Sequence, residues 1–298
     1  MTVSEAFICG ENLRVYCRQE NIPIYEAAIR REQELSEKSR PELIYEMKKN
    51  LDVMKESVQK GLEEKNASVS GLTGGDSERL YKYGKYNPFS GFNACRGAAA
   101  AMAVVEVNAA MGRIVAAPTA GASGILPGVL ITSAKDRAWT DEDMIHGLFT
   151  ASAIGILFAK NATISGAGGG CQAETGVAAA MTAAALVELS GGAPVQALDA
   201  AAMTIKNVMG LICDPVAGLV ECPCIKRNAL GAVNAMICAD MSLAGITSLI
   251  PFDEVVACML TVGKDIRPEY RETAKGGLAT TPTGKRVAER VKRMQGIE

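Results

Sequence analysis

Histidine is nearly missing from this sequence of 298 residues, which has one, His146. With so little imidazole, no obvious general base poised near neutral pH is on offer. A Cys3His zinc site would have to use that one residue, with no spacing to support it. Aromatic residues make up only 5% of the chain against 48% hydrophobic overall, so the apolar mass is Ala, Val, Leu, Ile and Met. Small side chains of this kind let helices approach closely. No basic block exists and the formal net charge is −2, which gives nucleic acid or anionic lipid no electrostatic handle. The longest apolar runs, such as 147–159, fall short of the roughly 18–20 residues a membrane span needs. The first twenty residues carry charges throughout and no apolar leader, so the expected location is cytoplasmic. Period-2 strands are absent too, which removes the sheet scaffold that a pyridoxal-phosphate lyase would require.

What is present is helix signal. Ile44, Met47, Leu51, Met54 and Val58 form one apolar stripe after Pro41. Ala-dominated helices are expected over 96–112 and 175–192, and further ones over 192–210, 228–245 and 251–266. The turn-rich stretch 66–91 breaks the chain between the charged front end and the Ala-rich body. The predicted fold class is all-α: one compact Ala/Gly-rich multi-helix domain over 1–298, with 1–65 as a peripheral helical front end and Gly-rich loops forming the site.

Nine cysteines are many for such a chain, and an odd number without an export signal argues against a disulfide framework. Cys9, Cys17, Cys95, Cys238 and Cys258 read as buried small hydrophobes. The others lie in two loop segments, 164–175 and 211–228, and a third segment, 116–128, stands out against the helices with them. In 116–128, Thr119, Gly121, Ser123 and Gly124 offer backbone N–H groups and two hydroxyls, suited to a carboxylate or simply to a tight interhelical turn. Glycines crowd the stretch before Cys171, yet no Lys-Ser/Thr follows, so a phosphate loop does not fit. Cys171, Cys213 and Cys224 lack both the paired knuckles of a zinc ribbon and the ferredoxin run. Three dispersed thiolates on separate loops can instead hold three irons of a cubane and leave the fourth open as a Lewis acid.

The segments EVNAAMGRIVAAPTAGASGILPG (106–128), SGAGGGCQAETGVAAAM (165–181) and CDPVAGLVECPCIKRNALGAVNA (213–235) resemble the catalytic α part of bacterial iron–sulfur L-serine dehydratases. GLTGGDSERL (71–80) and GGLATTPTGKR (276–286) are similar to that family as well. The resemblance implies an L-serine ammonia-lyase of amino-acid catabolism, making pyruvate and ammonia with a 4Fe–4S cluster on Cys171, Cys213 and Cys224. Cys222 is then a neighbour whose side chain Pro223 turns away. A related L-cysteine desulfidase, or a non-enzymatic protein with a structural or redox metal site, stands as the alternative.

Thr119, Gly121, Ser123, Gly124 and Asn228 are the candidate substrate holders. Lys226 and Arg227 are able to pair with a substrate carboxylate or merely face solvent. Glu174 and Asp214 are placed for proton transfer, backbone orientation or helix capping. The catalytic base is not identifiable in this chain. The single-chain relatives carry a histidine-bearing β part that is missing here, so a separate β subunit is expected to dock over the site, against an exposed apolar patch. The sequence ends at Glu298 without a terminal cysteine, so its tail is not expected to supply a fourth iron ligand. His146 is expected to be a surface residue at a helix start.

Overall fold

The computed structural model describes residues 1–294, and these are helical throughout, with no strand among them. The expected absence of a terminal cysteine concerns residues outside that range. The helices are α1 (Val3–Ala6), α2 (Gly10–Glu20), α3 (Ile24–Ser36), α4 (Arg40–Glu63), α5 (Asp76–Tyr83), α6 (Phe92–Ala109) and α7 (Ile125–Arg137). They continue with α8 (Asp141–Asn161), α9 (Gly166–Gly169), α10 (Cys171–Leu189), α11 (Pro194–Lys206), α12 (Cys224–Leu243), α13 (Phe252–Asp265) and α14 (Pro282–Met294).

Helix α10 runs through the middle. Every residue from Cys171 to Val187 is buried, because alanine, valine and glycine give it no polar face to turn outward. α7, α8, α11 and α12 surround it. α6 is buried in the same way from Cys95 to Val107 and lies against α4, α5, α7 and α12. Small residues set these distances. A Cβ at Gly124 or Gly128 would run into the backbone of Ala101 on α6, so α7 and α6 touch main chain to main chain. The front end joins the same core: Phe7, Leu13, Ile24, Ile29, Leu51 and Met54 pack into one apolar cluster with α8, α10 and α13.

Several helices lack a local cap, and carboxylates from remote helices replace it. Cys9, Pro23 and Gly75 precede α2, α3 and α5 without a capping side chain. Asp253 of α13 accepts from the N–H groups of Gly10 (2.6 Å) and Glu11 (2.9 Å). Glu188 of α10 accepts from Ile24 (2.6 Å) and Tyr25 (3.0 Å). Buried Glu106 of α6 accepts from the N–H groups of Gly75, Asp76 and Ser77 and from the Ser77 hydroxyl at 2.6 Å. Each sets carboxyl oxygens on the free N–H groups at the start of a helix, and each ties an outer helix to the interior.

Three expected helices, α6, α10 and α12, begin four residues earlier than their apolar pattern suggests. α10 starts at Cys171 and α12 at Cys224, so two of the three candidate ligands are first residues of long helices rather than loop residues. The reason is local. Gly170, at φ 76°, turns the chain into α10 where a Cβ would meet the Leu211 carbonyl at 2.7 Å. Among the cysteines expected to be buried, Cys17, Cys95 and Cys238 are, whereas Cys9 is half-buried and Cys258 is exposed on the outer face of α13.

Candidate active site

The Sγ atoms of Cys171 and Cys213 and a carboxylate oxygen of Glu174 lie within 4.8 Å of one another, all three side chains buried. Cys171 and Glu174 stand one turn apart at the start of α10, so the helix aims both at the same point. Cys213 comes from the 211–218 segment, which is held in register by its N–H to the Tyr270 carbonyl and its carbonyl to the Glu272 N–H, both 2.8 Å. Cys224 is buried at the start of α12, close enough for the charges of Cys171 and Glu174 to act on it, but outside the close trio. Cys222 is exposed, and none of these cysteines forms a disulfide.

Gly166 is the floor of this site. A Cβ there would stand 2.8 Å from Cys213 Sγ, 3.1 Å from Glu174 Oε2 and 3.2 Å from Glu272 Oε2. Glu272, at φ 64° in the 271–276 turn, therefore brings a second carboxylate to the thiols. Sequence spacing gave no hint of it, because the only signal is a strained turn one hundred residues from Glu174.

The 116–128 segment closes another side. Thr119 donates its hydroxyl to Glu174 Oε1. Behind it, Asn228 of α12 donates to the carbonyls of Gly121 (2.7 Å) and Cys224 (2.9 Å) and accepts from the Gly124 N–H (3.1 Å). Ser123 is wholly buried and donates to the Ala120 carbonyl at 2.7 Å. Of the five candidate substrate holders, half-buried Thr119 and buried Gly121, where a Cβ would stand 2.6 Å from Glu174 Oε1, border the thiol site, while Ser123, Gly124 and Asn228 are buried and form a clamp behind it.

The charged candidates separate. Lys226 points outward and pairs with Asp76 at 2.6 Å. Arg227 points inward: Nη1 donates to Cys171 Sγ (3.3 Å) and to the Ile212 carbonyl (2.9 Å), and Nη2 to Asp214 Oδ1 (2.8 Å). Asp214 Oδ2 accepts from the Leu278 N–H at 2.8 Å, which fastens the 276–286 motif to the site. The 71–80 motif is fastened too, since Ser70 (2.6 Å) and Thr73 (2.5 Å) donate to the carboxylate of buried Glu221. His146 lies elsewhere, half-buried and stacked on Tyr25 with centroids 4.0 Å apart.

Electrostatics single out one thiolate. A hydrogen bond from the Cys213 thiol and the charge of Arg227 hold Cys171 below the ordinary thiol range, against the cost of burial. Cys213 is raised by donating to Cys171 and by burial, and burial with the charges of Cys171 and Glu174 pushes Cys224 up to about 12. Burial raises Glu174 as well, with the Glu272 charge adding to it and the Thr119 bond opposing it. Two buried thiols beside a buried carboxyl, with the Cys224 thiol close by, form a soft donor set of the kind a thiophilic cation prefers. The short glycine turn beside it and the Arg227 N–H on one sulfur suit an iron–sulfur group.

Comparison with known proteins agrees. The serine dehydratase alpha chain family matches residues 19–279. The chain belongs to that family. It is 50% identical over 275 residues to the probable L-serine dehydratase, alpha chain, of Bacillus subtilis (strain 168), covering 92% of this chain and 91% of the relative. Against the L-serine dehydratase, alpha chain, of Peptoniphilus asaccharolyticus it is 43% identical over 272 residues, covering 91% and 93%. The L-serine dehydratase TdcG of Escherichia coli (strain K12) is 49% identical over 181 residues, 60% of this chain and 40% of that longer one. For this family member, no helix among the described residues is long and apolar enough to cross a membrane.

Proposed function

We propose that the chain is the alpha part of a cytoplasmic iron–sulfur L-serine ammonia-lyase, a single catalytic domain over residues 1–298 that works with a separate β subunit as a heterodimer or larger assembly. The observation that carries the reading is the buried Cys171–Glu174–Cys213 group, joined through Thr119 to the 116–124 segment. Cys171, Cys213 and Cys224 would hold a 4Fe–4S cluster, which when bound supplies a Lewis acid at the iron without a protein ligand.

The chain's own residues do the rest. Elimination of water from serine needs a proton taken from the α-carbon and a proton given to the departing hydroxyl. Buried Glu174 holds its proton more firmly than an ordinary carboxyl, which suits the donor role, and Thr119 orients it. The Thr119 hydroxyl and the neighbouring backbone are the part of the 116–124 segment that faces the substrate. Asn228 and Ser123 keep that segment rigid from behind. The aminoacrylate released tautomerises to the imino acid, and a solvent water hydrolyses its C=N bond to give pyruvate and ammonia.

The α-proton is assigned to a base from the β subunit, because His146 is stacked on Tyr25 away from the thiols. An apolar groove of about 300 Å³, lined by residues including Met47, Met54, Val115, Pro118 and Leu126, borders the 116–128 segment and is the surface we assign to that subunit.

The test is anaerobic turnover of serine, threonine and cysteine by cluster-loaded alpha chain, alone and with the β chain. Serine turnover that requires both chains is expected. Preferential release of sulfide from cysteine would favour the desulfidase alternative, and a colourless zinc protein without turnover would favour a structural metal site.

A further inference from the structure

Arg227 lies three residues into α12 from Cys224, and its guanidinium is fixed on both edges. One nitrogen donates to Cys171 Sγ and the Ile212 carbonyl, the other to Asp214. Asp214 is held in turn by the Leu278 N–H. The side chains of Arg227 and Asp214 are 14% and 3% exposed, so this is a built contact and not a surface pair. Three of the five N–H groups of Arg227 are thus engaged by the walls of the site. Among the described residues no side-chain nitrogen donor reaches the Sγ of Cys213 or Cys224, so the Cys171 sulfur alone of the three has a charged donor on it.

We propose that Arg227 is a positioning residue that withdraws electron density from the Cys171 sulfur when that sulfur ligates the cluster. The inference rests on the reading of Cys171 as a ligand. Hydrogen bonds to ligating sulfurs and nearby net charge are the levers by which a protein sets the potential of an iron–sulfur group, and an arginine N–H supplies both at once. A thiolate that donates less leaves the site more electrophilic, which favours binding of the serine hydroxyl. The Asp214–Leu278 link gives the 276–286 motif a purpose in the same device: it holds the far edge of the guanidinium so that the near edge stays on sulfur.

The experiment is an EPR-monitored redox titration of the anaerobically reconstituted holoprotein, in wild type, Arg227→Gln, Arg227→Lys and Asp214→Asn, with iron and sulfide content measured on each. Arg227→Gln is expected to lower the midpoint potential at unchanged iron content. Asp214→Asn keeps the cation and removes a negative charge, and is expected to leave the potential at or above the wild-type value. A role confined to the buried ion pair predicts the same effect from both substitutions, because both break it. Arg227→Gln that holds a full cluster at the wild-type potential overturns the inference. If Arg227→Gln holds no iron, Arg227→Lys and Asp214→Asn decide: shifts of the same sign and size overturn it, and a lowered potential in Lys beside an unlowered one in Asn supports it. A wild-type chain that takes up no cluster sinks the ligand reading itself, which is a different failure.

Discussion

Asn228 joins two motifs that are more than one hundred residues apart: its amide donates to the Gly121 carbonyl at 2.7 Å while its oxygen accepts from the Gly124 N–H at 3.1 Å. The side chain is wholly buried, so both bonds are made without competition from water. Asn228→Asp keeps the acceptor and turns a carboxylate toward the Gly121 and Cys224 carbonyls. We expect it to cost about 2 kcal/mol or more in stability, as loss of buried partners does, and to reduce serine turnover. Thermal melts and steady-state rates check this, and a variant that melts and turns over like wild type would refute the clamp.

Glu106 should matter for folding and not directly for chemistry. It receives four donors from Gly75, Asp76 and Ser77, which have no local substitute. Glu106→Ala leaves buried N–H groups orphaned and is expected to lose about 3 kcal/mol, a drop in Tm of roughly 6–12 °C. Glu106→Gln, which keeps an acceptor, should lose less. Equal melting of the two variants would mean the cap is not what holds α5.

Thr119→Val removes the hydroxyl that meets Glu174 and leaves a side chain of similar shape. Iron content is expected to stay and kcat to fall at least tenfold. Glu174→Gln should lower kcat further. The measurement is kcat and iron on the same preparations; full kcat in Thr119→Val contradicts the orienting role of Thr119, and full kcat in Glu174→Gln contradicts the assignment of Glu174 to proton delivery.

His146 gives a prediction about pH. Burial lowers its pKa below 6.5, with Glu142 and Asp143 opposing. The folded state therefore binds a proton less readily than the unfolded chain, so its contribution to stability is full above about 6.5 and is lost as pH falls through the folded value. His146→Gln has no such titration. The Tm difference between wild type and variant should shrink as the buffer is taken from about pH 7.5 to pH 5, while serine turnover with the β chain persists. Abolished turnover in His146→Gln would make His146 the base.

The helices were legible because their causes are local. The stripe from Ile44 to Val58 and the alanines of α6 and α10 specify helix whatever lies around them. Of the three starts read too late, those at Cys171 and Cys224 are polar-looking first turns whose helicity depends on Gly170 and Pro223 before them. Cys171 was readable from the glycines before it, and Cys213 from its spacing and the family resemblance. Arg227, Glu272 and Gly166 were not readable as neighbours of those thiols, because their roles exist only after α9, α10 and the 271–276 turn have packed together. Glu106, Glu188 and Asp253 show the same limit: a cap supplied by a distant helix leaves no trace in the residues next to the helix it caps.

The central claim is that Cys171, Cys213 and Cys224 hold one cluster between them, and the most direct measurement is iron and acid-labile sulfide per chain after anaerobic reconstitution. It should be made on wild type and on the Ser variants of Cys171, Cys213, Cys222 and Cys224. The account predicts about four irons and four sulfides in wild type and Cys222→Ser, and loss of that content in each of the other three. A full complement retained by Cys224→Ser, or iron loss equal in Cys222→Ser and Cys224→Ser, would contradict it.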